Sequence, residues 1–176
     1  IAQRASRRQY TGDPLTLPKL ANLLWSTQGI RHIIRGPHTA TRNVPSAGAR
    51  HPFETYILPN KILDVPYGLY RYLPLSHQLC LLRANSELTE EIHQASYKQY
   101  VRKSAVVFIW TAIPYRTSWR YGPLAPKLIA QDSGHVCQNL YIACESISIG
   151  TCAIGAYNQA EMDQILEVDG ETEFTI

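Results

Sequence analysis

Residues 126–148 read Pro126-Lys-Leu-Ile-Ala-Gln-Asp-Ser-Gly-His-Val-Cys-Gln-Asn-Leu-Tyr-Ile-Ala-Cys-Glu-Ser-Ile-Ser148, and they carry the sharpest periodicity of the chain. Ile129, Ser133, Val136, Leu140, Ala143 and Ile147 recur at steps of four and three, the stripe of a core helix. Gly150 follows as the C′ residue that ends it. Just upstream, Ser104-Ala-Val-Val-Phe-Ile-Trp-Thr-Ala112 is an unbroken apolar run, which predicts a central strand buried on both faces. Nearer the N-terminus, Phe53-Glu-Thr-Tyr-Ile-Leu58 and Gly68-Leu-Tyr-Arg-Tyr-Leu73 are rich in aromatic and branched side chains and predict two strands around a turn region from Asn60 to Pro66. Thr16 stands as N-cap ahead of Pro18, and Leu20, Leu23 and Leu24 mark one face of a helix that Gly29 ends. A further helix is predicted over 86–99, from Ser86 as N-cap through a Glu-rich first turn to Lys98. After Gly150 come a short Gly- and Ala-rich strand, Thr151 to Tyr157, and a last helix from Gln159 to Leu166. Helices and strands are mixed without regular βαβ alternation, so the fold class is α+β.

The 176 residues suit one domain, with 45% hydrophobic and 18% charged residues. The net charge of +3 is spread along the chain, so no electrostatic footprint for nucleic acid stands out. No apolar run reaches the roughly eighteen residues of a membrane span. Of the four cysteines, Cys80, Cys137, Cys144 and Cys152, no pair has Cys-x-x-Cys spacing. Cys137 and Cys144 share a helix face but lie about 10 Å apart along the axis, beyond disulfide reach. Free thiols fit a reducing compartment, and the expectation is a cytoplasmic protein. No His, Cys and carboxylate set has metal-site spacing, so no metal is expected.

Three small clusters can carry chemistry. In Arg4-Ala-Ser-Arg-Arg-Gln-Tyr10, Arg forks and a Ser hydroxyl suit phosphate oxygens, against the plainer reading of a solvated basic tail. Pro45-Ser-Ala-Gly-Ala-Arg-His-Pro52 closes a long loop that begins near Gly36. Its small residues between two prolines let a flat ring lie on the backbone, against the plainer reading of an ordinary turn. Gly150-Thr-Cys-Ala-Ile-Gly-Ala-Tyr157 marks close approach by a ligand, or tight packing on the preceding helix. His135 reads as a helix histidine satisfied by its neighbours. Trp25, Trp110 and Trp119 read as packing residues, with Trp119 able to edge a pocket.

Taken in order, these clusters resemble the nitroreductase family, and most closely its SagB-type dehydrogenases. The resemblance also takes in Leu23-Leu-Trp-Ser-Thr-Gln-Gly29, Arg42-Asn-Val-Pro45, Phe53-Glu-Thr-Tyr56, Gly68-Leu-Tyr-Arg-Tyr72 and Asp132-Ser-Gly-His-Val-Cys-Gln-Asn-Leu140, nearly the whole chain. It implies a nitroreductase-like fold with a central mixed or antiparallel sheet flanked by helices, and an intertwined homodimer holding FMN at the subunit interface. Carried over by position, Arg4, Ser6 and Arg8 hold the phosphate, ribityl chain and ring edge. Pro45, Ser46, Ala47 and Gly48 line the isoalloxazine from the partner subunit. Ala153, Ile154, Gly155 and Ala156 lie against its other side, with the Gly155 N–H at flavin N5, and Gln138 is a further contact. The implied reaction passes hydride from a reduced nicotinamide, NADH or NADPH, or from an organic donor to an organic acceptor. Alternatives are azoline dehydrogenation in a modified peptide and a flavin-binding dimer without turnover. Where azoline oxidases carry Lys-Tyr, this chain has Arg120-Tyr121. Arg stays protonated and is a poor base, which leaves Tyr121 as the catalytic candidate. The resemblance further implies that residues 1–176 form a single domain truncated at both ends, with a final strand and a further phosphate contact beyond Ile176.

Overall fold

A computed structural model describes residues 1–34 and 40–176; the start of the long loop expected from near Gly36 falls in residues 35–39, which lie outside the described residues. The elements run α1 (Leu17–Gln28), β1 (Ile30–Ile33), β2 (Ala40–Arg42), β3 (Phe53–Pro59), β4 (Leu69–Leu73), β5 (Gln78–Arg83), α2 (Leu88–Ala95), β6 (Val106–Ala112), α3 (Tyr115–Tyr121), α4 (Ala125–Ser146), α5 (Gln159–Leu166) and β7 (Phe174–Thr175). Five strands form an antiparallel sheet in the order β5-β4-β3-β6-β7, and β1 pairs with β2 in a separate ribbon. The architecture is the expected α+β one, an antiparallel sheet between helices.

β3 is the best-covered strand. All seven of its residues are buried, and it pairs along its full length with β6, from Phe53↔Ala112 to Pro59↔Val106. On one face of the sheet Tyr56, Leu58 and Ile109 pack with Leu88 and Ile92 of α2 and Met162 and Leu166 of α5. On the other, Ile57, Tyr70 and Tyr72 meet Leu20 and Leu24 of α1. Phe53 and Ala112 meet Ile129 and Val136 of α4 on this side as well. α5 is tied to β7 through Asp163, whose carboxylate accepts both the N–H and the hydroxyl of Thr175 at 2.7 Å.

Several expectations are corrected. β6 is not buried on both faces: Val106, Val107, Phe108 and Trp110 are half-buried, because β7 covers only its Thr111–Ala112 end. The helix over 86–99 is shorter, since Tyr97 and Lys98 take left-handed backbone, and Glu87 rather than Ser86 is its N-cap. Thr16 caps α1 in position only, with no side-chain bond. α4 ends at Ser146, and Ser148 (φ 59°), not Gly150, turns the chain out of the helix. Thr151 to Tyr157 forms no strand; only Thr151 makes a bridge, parallel to Ser6. The buried stripe of α4 runs through Asp132, with Ser133 half-buried beside it.

Candidate functional site

The bridge at Thr151 brings two of the three clusters together. Arg7 N–H donates to Thr151 O at 2.9 Å, so the N-terminal segment lies along the stretch after α4. Tyr141 of α4 joins them: its hydroxyl is 3.0 Å from Ser6 Oγ and accepts from the Ala153 N–H at 2.8 Å. The Arg4 guanidinium lies over the Tyr141 ring, 5.2 Å from its centroid. Sequence reasoning assigned Tyr141 no role, because an aromatic residue on a core helix reads as packing.

The three arginines of this segment divide. Arg7 is consumed internally, forking onto the Glu145 carboxylate at 3.0–3.3 Å, with its stem packed against Gly150. A Cβ at Gly150 would stand 3.1 Å from that stem, so close approach by another part of the chain explains this glycine. Arg4 is half-buried and Arg8 exposed, and neither is ion-paired among the described residues. Beside them Ala153, Gly155 and Ala156 are exposed and Ile154 half-buried. A side chain at Gly155 would meet nothing within 4 Å, and the Gly155 N–H makes no backbone bond among the described residues. Two unpaired guanidinia beside a bare Gly-Ala surface with a free amide fit an anionic, ring-bearing cofactor such as FMN.

The Pro45–Gly48 cluster sits elsewhere. Ser46 Oγ donates to Asp132 Oδ2 at 2.6 Å, and the Ala47 N–H lies 3.2 Å from both Asp132 oxygens. Ser46 Oγ also accepts the His51 N–H at 2.9 Å. Asp132 and Tyr141 are nine residues apart on α4, so at about 100° per residue they point to opposite sides of the helix. Within one chain, therefore, the first and third clusters come together, and the second does not join them. Pro45 and Gly48 are exposed, Ser46 and Ala47 half-buried, and Gln138 lies on the exposed side of α4.

Tyr121, at the end of α3, is half-buried with its hydroxyl against Gly48, which has φ 57°. Arg120 lies over the Tyr121 ring at 5.6 Å and Arg50 over the Trp119 ring at 5.1 Å. A cationic, aromatic surface thus surrounds the loop.

A cavity of about 620 Å³ opens beside the first and third clusters. It wraps the free edge of β6, taking in Phe108 and Trp110 from one face and Val107 and Ile109 from the other, and reaches Tyr10, Cys137, Cys152, Ala153 and Ile154. Burial pushes the Tyr10 hydroxyl and the Cys144 thiol up to about 12 each, so neither ionises near neutrality. All four cysteines are free. Among the described residues no group of three or more His, Cys, Asp or Glu stands where it could hold a metal ion, and no helix is long and apolar enough to cross a membrane.

The fold is an antiparallel sheet between helices, with a cavity and a cationic Gly-Ala surface that fit an anionic, ring-bearing cofactor. The family model of the nitroreductase family matches residues 1–176, and the chain belongs to that family of FMN-dependent oxidoreductases. A Methanocaldococcus jannaschii protein named as a nitroreductase is 31% identical over 169 residues, 96% of this chain and 82% of its own. The trifolitoxin-processing protein TfxB of Rhizobium leguminosarum bv. trifolii is 25% identical over 131 residues, 72% of this chain and 35% of its own. A crystal structure from Anabaena variabilis, described as a nitroreductase, superposes with a TM-score of 0.78 at 25% identity, over 90% of this chain and 33% of that one. The chain therefore spans about a third of that structure.

Proposed function

We propose that this chain works as a cytoplasmic homodimer that takes hydride from NADH or NADPH onto FMN and delivers it to an organic acceptor. The Ser6–Tyr141–Ala153 hydrogen-bond chain carries the reading, because it fixes the cationic segment beside the open Gly-Ala surface. In this reading Arg4 and Arg8 bind the phosphate and the electron-rich ring edge, and Ser6 the ribityl chain. The Gly155 N–H donates at N5, and Ala153, Ile154 and Ala156 back the ring. Bound FMN supplies the hydride chemistry, so the protein needs no nucleophile or strong base. Pro45 to Gly48 come from the partner subunit, which accords with their anchorage on the opposite side of α4. Gln138 is a peripheral contact, and Tyr121 a proton donor or positioning group beside the ring. The visible spectrum of purified protein tests this: a flavin spectrum that bleaches on anaerobic NADH or NADPH is expected. A colourless protein that takes up no FMN on titration overturns it.

A second reading, azoline dehydrogenation in a modified peptide, draws on the likeness to TfxB, a protein named for trifolitoxin processing. Arg120 supplies no base beside Tyr121, which ranks this reading second. Loss of one H2 from a thiazoline peptide, followed by mass spectrometry, would raise it to first.

A further inference from the structure

We propose that Asp132 is the positioning residue of the Pro45–Gly48 loop, holding it in a shape that keeps Pro45 and Gly48 exposed to the flavin ring. The proposal rests on the flavin reading above. Asp132 is 3% exposed, on the buried stripe of α4, a place where a carboxylate is costly unless its oxygens are satisfied. Its partners are the Ser46 hydroxyl at 2.6 Å and the Ala47 N–H at 3.2 Å, both some 85 residues away in sequence. His135 Nδ1 stands 3.7 Å away at the surface. The carboxylate thus takes up both the Ser46 hydroxyl and the Ala47 N–H. Ser46 passes the constraint on, because the same hydroxyl accepts the His51 N–H and closes the turn. Gly48, φ 57°, is exposed in the turn that results, with the Tyr121 hydroxyl against one side of it. With Ser46 Oγ and the Ala47 N–H committed to Asp132, the loop exposes Pro45 and the Gly48 backbone, with Arg50 Nε on the Gly48 carbonyl at 2.8 Å and the Tyr121 hydroxyl beside Gly48.

The test uses the full chain with Asp132→Ala, Asp132→Asn, Ser46→Ala and, as a control of similar burial on α4, Val136→Ala. In the flavin-free protein, amide exchange at Ala47 and His51 is expected to rise about tenfold in Asp132→Ala, the scale of losing a charge-assisted hydrogen bond. Ser46→Ala should free only His51, and Asp132→Asn should fall between. FMN titration should show binding weakened about tenfold in Asp132→Ala, with shifted visible bands of the flavin that does bind. Val136→Ala should lower Tm but leave both flavin readouts in place. Unchanged Ala47 exchange and FMN affinity within twofold of wild type in Asp132→Ala overturn the proposal. Should that variant fail to fold, unchanged Ala47 exchange in Asp132→Asn together with unchanged His51 exchange in Ser46→Ala overturns it. Wild-type protein that takes up no FMN overturns the flavin reading instead, and is told apart because no substitution is involved.

Discussion

His51 combines a left-handed backbone, φ 47°, with a buried imidazole whose two ring nitrogens have no partner among the described residues. Burial, reinforced by Arg42 and Arg50, lowers its pKa to about 4. The unfolded chain takes up this proton near pH 6.5, the folded chain only near 4. Stability is therefore full above pH 6.5 and falls as the pH drops from there to about 4, by roughly 3 kcal/mol at most. Urea titrations across that range should show the fall. His51→Asn, which keeps a side chain suited to left-handed backbone, should flatten it. Gly48 makes a second prediction at this scale. Gly48→Ala must hold positive φ and meets the Tyr121 hydroxyl, so a loss of about 1–2 kcal/mol is expected in thermal melts. Tyr121→Phe in the same chain should recover part of it. The pairing of Gly48 with Tyr121 was not legible in the sequence, because 73 residues separate them. Nor was Asp132: apolar periodicity fixes a helix face only to within a residue, and it favoured neutral Ser133 over a carboxylate that the distant loop satisfies. Arg4, Ser6 and Arg8 stood out from the sequence, but only the structure separates Arg7, spent on Glu145, from its neighbours.

β3 shows what a well-covered strand allows. Glu54 sits on it with 10% of its side chain exposed, between Arg71 of β4 and Arg116 of α3. Arg71 Nε and Nη2 lie 3.1 and 3.0 Å from Glu54 Oε2, and Arg116 takes Oε1. This clamp fixes the start of α3, and hence Trp119 and Tyr121, to the sheet. Glu54→Gln leaves two guanidinia without their counter-charge. Both remain 34–40% exposed, so the expected cost is about 2 kcal/mol, below the range for a wholly buried pair. Glu90→Gln breaks the more exposed Arg102 pair and should leave the urea midpoint unchanged. β3, β4, α1 and α5 were legible because each carries a periodic apolar pattern or dense aromatic and branched residues. β5 was missed because it is an edge strand with exposed residues at most positions, so no alternation marks it. β1, β2 and β7, two to four residues long, are too short to show a period. The Gly-Ala stretch after α4 looked like a strand by composition, yet its neighbour is the N-terminal segment, which offers it a single bridge among the described residues.

At the scale of the whole molecule the question the proposed flavin site raises is how three clusters could meet when α4 stands between the second and the other two. Arg4, Ser6 and the 153–156 stretch gather on the Tyr141 side, and Pro45–Gly48 on the Asp132 side. The proposed two-fold dimer would solve this, since an isologous interface can set the loop of one subunit over the open surface of the other, twice. The sharing makes a prediction that a self-contained site does not. Take one chain carrying Arg4→Ala and Arg8→Ala, and a second carrying Pro45→Glu, which puts a charge on an exposed position against the ring. Each homodimer has two defective sites and should bind little FMN. In a mixed dimer with shared sites, one site collects both lesions and the other collects none. After unfolding and refolding an equal mixture, statistical pairing makes half the dimers mixed, so roughly a quarter of all sites should regain flavin. If each chain held its own FMN, every site in the mixed dimer would keep a lesion and flavin recovery would stay at the level of the separate variants. Flavin absorbance per dimer, read after gel filtration of the refolded mixture, decides between the two arrangements.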